Sequence, residues 1–247
     1  MNNMLKEKVV IVTGGSGLIG NSIIKRIIEE GGIAINAEIN VITNLDNGLI
    51  NCDITSQNSV EECIIQIIDR YGRIDGWVNN AYPRTADWSK KFEDIPLLSW
   101  KKNIDMQLNS IFICCQLVLA QMKKQRSGAI VNISSIYGVV GPDFSVYDGT
   151  DMTMPAAYAA IKGAVVNFTR YLASYYGAFG IRVNCVSPGG IFDKQPAEFI
   201  SNYEKRVPMK RLGSPEDVSP SVTFLLGNHS NYITGHNLIV DGGWTSI

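Results

Sequence analysis

Val9-Val10-Ile11-Val12-Thr13-Gly14-Gly15-Ser16-Gly17-Leu18-Ile19-Gly20 opens on four apolar residues and runs through a threonine into four glycines. A short unbroken apolar run suits a strand buried on both faces, where neither side faces water. Ile19, Ile23, Ile24, Ile27 and Ile28 then recur at helical spacing until Gly31-Gly32 stops the helix. Strand, glycine turn and helix in that order are the context of a dinucleotide site. Glycines let the backbone approach a pyrophosphate, and the helix N-terminus favours its negative charge. A tight turn made only for packing is the alternative reading.

Outward from this corner, strands and helices alternate. Strands are expected at Ala34 to Ile39, Leu49 to Cys52, Ile74 to Asn79, Ala129 to Ser134, Arg182 to Ser187 and Asn237 to Val240. Helices are expected at Val60 to Tyr71, at Leu97 to Lys124 as one long amphipathic element, from Pro155 to about Tyr176, and at Pro215 to Leu226. The stretch between the second and third strands is short, so only a helical turn fits there. This alternation predicts an α/β protein: a Rossmann-type doubly wound parallel sheet of about seven strands with helices on both faces. No repeat, linker or low-complexity tract divides residues 1–247, which are read as a single domain.

Composition narrows the function. The formal net charge is −1, which gives no electrostatic footprint for nucleic acid or an anionic membrane. No run approaches the ~18 apolar residues of a membrane span, and the first residues do not read as a signal peptide. The five cysteines contain no CxxC pair, which suits free thiols in a reducing, cytoplasmic setting. His229 and His236 have no ligand-like neighbours in sequence, so no metal is expected.

Two further features carry chemistry. Glu38 lies 18 residues after Gly20, at the end of the second expected strand. A carboxylate there can accept both ribose hydroxyls of NAD and repels the 2′-phosphate of NADP. No Arg or Lys occurs between Arg26 and Arg70 to welcome that phosphate, so NAD is expected over NADP. Tyr158 and Lys162 are four apart on one helix face. An ammonium that close favours the phenolate and is expected to draw the tyrosine pKa down, giving a proton carrier for an alcohol or carbonyl.

Taken together with further motifs, the chain resembles the short-chain dehydrogenase/reductase family from about Lys8 to Trp244. The likeness rests on the glycine turn, Cys52-Asp53-Ile54-Thr55, Asn79-Asn80-Ala81, Ile130-Val131-Asn132-Ile133-Ser134-Ser135, Tyr158 with Lys162, Arg182 to Gly189, and a C-terminal end with Arg211 to Asp217, Gly235 and Val240-Asp241-Gly242-Gly243. The resemblance implies an NAD(P)-dependent oxidoreductase acting on CH–OH groups, with Ser135, Tyr158, Lys162 and Gln107 as catalytic residues. Tyr158 would be the general acid/base, Lys162 would hold the nicotinamide ribose, and Ser135 would orient the substrate oxygen. It also implies cofactor contacts from Gly14, Ser16, Gly17, Leu18, Ile19, Glu38, Asp53, Ile54, Asn80, Ala81, Tyr82, Ile133, Tyr158, Lys162, Pro188, Gly189 and Ile191. Relatives pair long helices into a four-helix interface, so a homodimer or homotetramer is implied. Here Leu108, Ile111, Cys115, Leu119 and Met122 form an apolar stripe fit for that interface or for the core.

The sequence departs from the family pattern at several points. Leu18 stands where the middle glycine belongs, and Gly17 precedes it, a spacing similar to sugar-nucleotide epimerases. Tyr82 replaces the glycine after Asn-Asn-Ala, Gln107 stands for the usual asparagine, and Asp193 for a common threonine. Ser135 and Tyr158 are 23 positions apart, a gap lengthened by an insert at about 141–154 that carries Asp143, Asp148 and Asp151. The insert reads as a substrate wall or as an ornamental surface loop. With Asn80 to Arg84 and Gly189 to Asp193, it resembles oxidoreductases of surface-sugar and flagellin-glycan modification. Tyr82, Arg84, Gln107, Tyr137 and the insert are expected to make a polar pocket for a sugar-like small molecule. An epimerase or dehydratase, and a non-catalytic NAD-binding regulator, remain the alternatives.

Overall fold

The computed structural model describes residues 3–247. It forms one seven-stranded sheet in the order β3-β2-β1-β4-β5-β6-β7. The strands are β1 (Val9–Thr13), β2 (Ile33–Glu38), β3 (Leu49–Asn51), β4 (Gly76–Asn79), β5 (Gly128–Ile133), β6 (Ile181–Pro188) and β7 (Asn237–Val240). Every pairing is parallel, with Val12 of β1 between Asn36 of β2 and Val78 of β4. The chain builds outward from β1 to β3, then returns to lay β4 on the other side of β1. The reversal opens a crevice at the carboxyl ends of β1 and β4, the place where such sheets bind ligands.

Helices α1 (Leu18–Glu29), α2 (Gln57–Tyr71), α3 (Leu97–Ile104), α4 (Ser110–Gln125), α5 (Ala156–Tyr176), α6 (Ala197–Arg206) and α7 (Pro215–Leu226) complete the fold. One sheet face packs on α2, α4 and α5 around Ile11, Trp77, Leu119 and Val165; the other packs on α1 and α7 around Val10, Val131, Ile27 and Val222. The expected stripe on α4 belongs to the first core: Ile111, Cys115, Leu119 and Met122 are buried, and Leu108 packs against them. By length and composition, Leu97–Gln125 is the one helical stretch among the described residues that could cross a membrane. Its inner residues, such as Val118, Leu119 and Met122, are buried in this core.

Two local expectations are corrected, and one helix that the sequence did not mark is added. The helix expected from Leu97 to Lys124 is interrupted by a π-turn at Asp105–Asn109. Ser110 Oγ donates to the Met106 carbonyl at 2.8 Å, supplying a partner where the regular ladder slips by a residue. The span from 193 to 214 contains α6, whose Phe199 and Tyr203 are one turn apart and buried. The insert does not form a polar face toward the cleft. It makes a 3-10 turn at Phe144–Tyr147 and buries Val146 and Tyr147 against Phe199, Tyr203 and Trp244. Its carboxylates turn away: Asp143 Oδ1 caps Ser145 at 3.0 Å and its Oδ2 pairs with Arg206 at 3.4 Å, while Asp148 and Asp151 are exposed.

Candidate active site

The glycine turn is tied to the neighbouring strand by its polar groups. Thr13 Oγ1 accepts the backbone N–H groups of Asn80 and Ala81, and Asn80 Nδ2 donates to the carbonyls of Thr13 and Gly14 at 3.0 Å each. Gly20 is required by proximity, since a Cβ there would lie 2.3 Å from the Gly14 carbonyl oxygen. Gly17 is different: its nearest obstacle would be that same oxygen at 3.3 Å, so its outward side faces open space. That open backbone at the N-terminus of α1 is a cradle into which a pyrophosphate fits.

From this cradle a cleft of about 1230 Å³ runs in both directions. Toward one end it is lined by Gly14, Leu18, Ile19, Glu38, Asp53 and Ile54. Toward the other it is lined by Asn80, Ala81, Tyr82, Ile133, Ser135, Tyr158, Lys162, Pro188, Gly189 and Ile191. Sixteen of the seventeen residues expected at the cofactor therefore share one cavity. Ser16 is the exception. It is exposed, and its N–H donates to Glu38 Oε2 at 3.3 Å while its hydroxyl accepts from Asn36 at 3.0 Å. The Ile39 N–H donates to Glu38 Oε1 at 3.1 Å, so two backbone donors fix this carboxylate at the cleft end.

Ser135, Tyr158 and Lys162 meet at the inner end. Ser134 Oγ donates to the Lys162 carbonyl at 2.9 Å, locking α5 against the end of β5. Ser135 Oγ accepts the Tyr137 N–H at 3.2 Å, leaving its own proton free to donate. Lys162 Nζ donates to the Ile133 carbonyl at 2.8 Å and lies 5.4 Å from the Tyr158 ring centroid. The expected depression of the Tyr158 pKa by Lys162 is not found. Burial pushes the phenol above its ordinary value, and the hydrogen bond with Ser135 pulls it partly back. Burial acts on the lysine too and lowers it to about 8. The cause is desolvation of both charged forms, which outweighs their attraction across this gap.

Gln107 does not line the cleft; Met106 of the same π-turn does. Gln107 is 3% exposed, and its Nε2 is buried without a hydrogen-bond partner. The outer wall is more aromatic than expected. Tyr82, Trp88 and Tyr158 stand edge to face, with Tyr82 at 5.7 Å from Trp88 and 5.6 Å from Tyr158. Tyr82, Arg84 and Tyr137 line the cleft as expected, and the insert adds Tyr147, Met152, Thr153 and Met154. Phe199 and Tyr203 of α6 complete this wall, and the Tyr203 hydroxyl accepts the Gly190 N–H at 2.6 Å. Sequence reasoning did not single out Trp88, Phe199 or Tyr203. The i, i+4 spacing of the last two was the available signal. Among the described residues no His, Cys, Asp or Glu cluster is arranged to hold a metal ion.

A family profile described as Enoyl-(Acyl carrier protein) reductase matches residues 34–245. Post-translational flagellin modification protein A of Campylobacter coli is 34% identical, over 98% of this chain and 99% of its own length. The 3-oxoacyl-[acyl-carrier-protein] reductase FabG of Chlamydia muridarum is 35% identical, over 98% and 99%. Among solved structures, a short-chain dehydrogenase from Leptospira borgpetersenii with bound NAD+ superposes with a TM-score of 0.88. It is 33% identical and covers 99% of this chain and 95% of that one.

Proposed function

The chain belongs to the short-chain dehydrogenase/reductase family of nicotinamide-dependent oxidoreductases acting on CH–OH groups, and on that premise we propose that it interconverts a secondary alcohol and a ketone on a polar, sugar-like small molecule. The observation that carries the reading is the meeting of Ser135, Tyr158 and Lys162 in the same cleft that holds Glu38. A nicotinamide nucleotide bound along that cleft would supply the hydride chemistry. Gly17, Leu18 and Ile19 would hold its pyrophosphate, Asp53 and Ile54 would flank the adenine side, and Pro188, Gly189 and Ile191 would border the nicotinamide side.

Tyr158 gives its phenolic proton to the ketone oxygen in reduction and takes the hydroxyl proton in oxidation. Ser135 donates to the same oxygen, while one of its lone pairs accepts the Tyr137 N–H. Lys162, held by the Ile133 carbonyl, supplies positive charge beside the phenolate as it forms. Gln107 acts from behind this group, its free Nε2 available to a water rather than to substrate.

Glu38 supports NAD(H) over NADP(H), because its fixed carboxylate suits ribose hydroxyls and repels a 2′-phosphate. The expected preference is at least ~1.4 kcal/mol, a factor of ten. The sugar-like substrate is supported by Tyr82, Tyr137, Tyr147 and Tyr203, which line the cleft with side chains that combine an aromatic ring and a hydroxyl. It is also supported by the flagellin-modification relative. The second reading is a 3-oxoacyl thioester reductase, favoured by Met152, Met154 and Phe199 in the wall and by the Chlamydia relative. We further propose a cytoplasmic homodimer or homotetramer without nucleic-acid or membrane partners. The five cysteines are free and buried, as a reducing compartment allows.

The test is turnover with both cofactors on a panel of cyclic polyols, keto-sugars and an acetoacetyl thioester. Activity on the sugars with NAD(H) is expected, and Tyr158→Phe should lose about 10²–10⁴-fold while keeping NAD affinity. Preference for the thioester or for NADP(H) would overturn the corresponding part, and an active Tyr158→Phe variant would remove the mechanism.

A further inference from the structure

We propose that Arg84 is an anion anchor, so that the natural substrate carries an oxyanion, carboxylate or phosphate, one aromatic ring away from the carbon that reacts. The inference deepens the oxidoreductase reading and rests on it. Two cations line the cleft. Lys162 is buried and its ammonium is committed to the Ile133 carbonyl. Arg84 is exposed and has no carboxylate within 4.0 Å among the described residues.

The guanidinium of Arg84 lies 5.2 Å from the centroid of Tyr82, and Tyr82 in turn stands edge-on to Tyr158. Stacking on a ring satisfies the face of a guanidinium and leaves its in-plane N–H groups free. Those groups form the fork that grips a carboxylate or phosphate with two parallel hydrogen bonds. The Tyr82 ring, packed edge to face on Trp88, makes that side less polar, which strengthens a charge pair formed there.

The rim that carries Arg84 is braced on its C-terminal side. The Thr85 N–H donates to Asn103 Oδ1 at 3.1 Å, Asn103 Nδ2 donates to Thr85 Oγ1 at 2.9 Å, and Ser99 Oγ donates to Asp87 Oδ1 at 2.7 Å. Asp87, the nearest acid in sequence, is thereby tied to α3 and not to Arg84. The other cleft carboxylates, Glu38, Asp53 and Asp193, form no ion pair with it either. A braced, stacked and unpaired arginine beside the reacting group is arranged for a ligand of opposite charge.

The experiment uses the NADH-loaded protein and three probes of one ring size: cyclohexanecarboxylate, cyclohexyl phosphate and the neutral cyclohexanecarboxamide. Binding is read by NADH fluorescence and calorimetry. At least one anion should bind about tenfold more tightly than the amide, and Arg84→Gln should remove most of that gap while leaving NADH affinity within about twofold. Raising salt to about 0.5 M should narrow the gap in the wild type. The stronger of the two anions identifies the group as carboxylate or phosphate. Equal binding of anions and amide, no binding of either anion, or a preference that survives Arg84→Gln would overturn the proposal. So would a loss of NADH affinity in Arg84→Gln with the anion preference unchanged, since Arg84 would then serve the cofactor. Failure of the wild type to bind NADH at all would instead bring down the oxidoreductase reading, and this inference with it.

Discussion

Replacing Lys162 by methionine should change the way stability depends on pH. The ammonium titrates at about 8 in the fold against an ordinary 10.5, because burial disfavours its charge. Each pKa unit corresponds to about 1.4 kcal/mol, so keeping the charge in the fold costs roughly 3 kcal/mol below pH 8. The folded pKa is the lower one, so unfolding takes up a proton between about pH 8 and 10.5, and wild-type stability rises with pH across that window. Lys162→Met has no such proton. It also loses the bond to the Ile133 carbonyl, but that loss is a constant offset. Urea unfolding of both proteins, freed of nucleotide and at one concentration, should show their stability difference moving by roughly 3 kcal/mol in favour of the wild type from pH 7.5 to 10.5. A flat difference, or one moving the other way, would refute a buried, destabilised ammonium at this position.

Other outcomes follow from packing and exposure. Gly20→Ala would put its Cβ 2.3 Å from the Gly14 carbonyl oxygen and 2.8 Å from Asn80 Nδ2, so it should lose about 1–3 kcal/mol of stability. Gly17→Ala meets only one atom, at 3.3 Å, and should keep its melting temperature while weakening nucleotide binding; a matched loss of stability in both variants would contradict the cradle. Phe112, Tyr171 and Tyr175 are 48%, 61% and 58% exposed along the outer faces of α4 and α5, a patch suited to a second copy. Light scattering should give a multiple of the 27.1 kDa chain mass, and Tyr171→Asp should lower it; a wild-type monomer would exclude that use of the face.

Features set by local chemistry were legible in the sequence. The apolar run at Val9 to Val12 marked a doubly buried strand, and the helix expected at Pro215 to Leu226 is α7. Tyr158 with Lys162 was legible from its i, i+4 spacing, and Ser135 through the family resemblance of its strand. What escaped depends on three-dimensional surroundings. The pKa of Tyr158 is set by burial, which no pair spacing reports. The π-turn before Ser110 is maintained by a displaced hydroxyl bond and by packing on the sheet, and the composition of that helix carries no mark of it. The insert was judged from its three aspartates, yet Tyr147, Met152 and Met154 are what it turns toward the cleft. Charged side chains at a loop surface face water for their own solvation, so counting them described the outside of the loop.

The small cluster of Tyr137, Val146, Tyr147, Phe199, Tyr203 and Trp244 shares no buried residue with either core that flanks the sheet. That separation makes the protein modular in an evolutionary sense. Mutations at Val146, Tyr147 or Phe199 spend the stability of a satellite and leave the two cores that flank the sheet untouched. A lineage can therefore drift to a new substrate by rewriting the insert and α6 at positions away from Tyr158, which packs against this cluster. For directed evolution, the same boundary identifies which positions to randomise and which to hold constant.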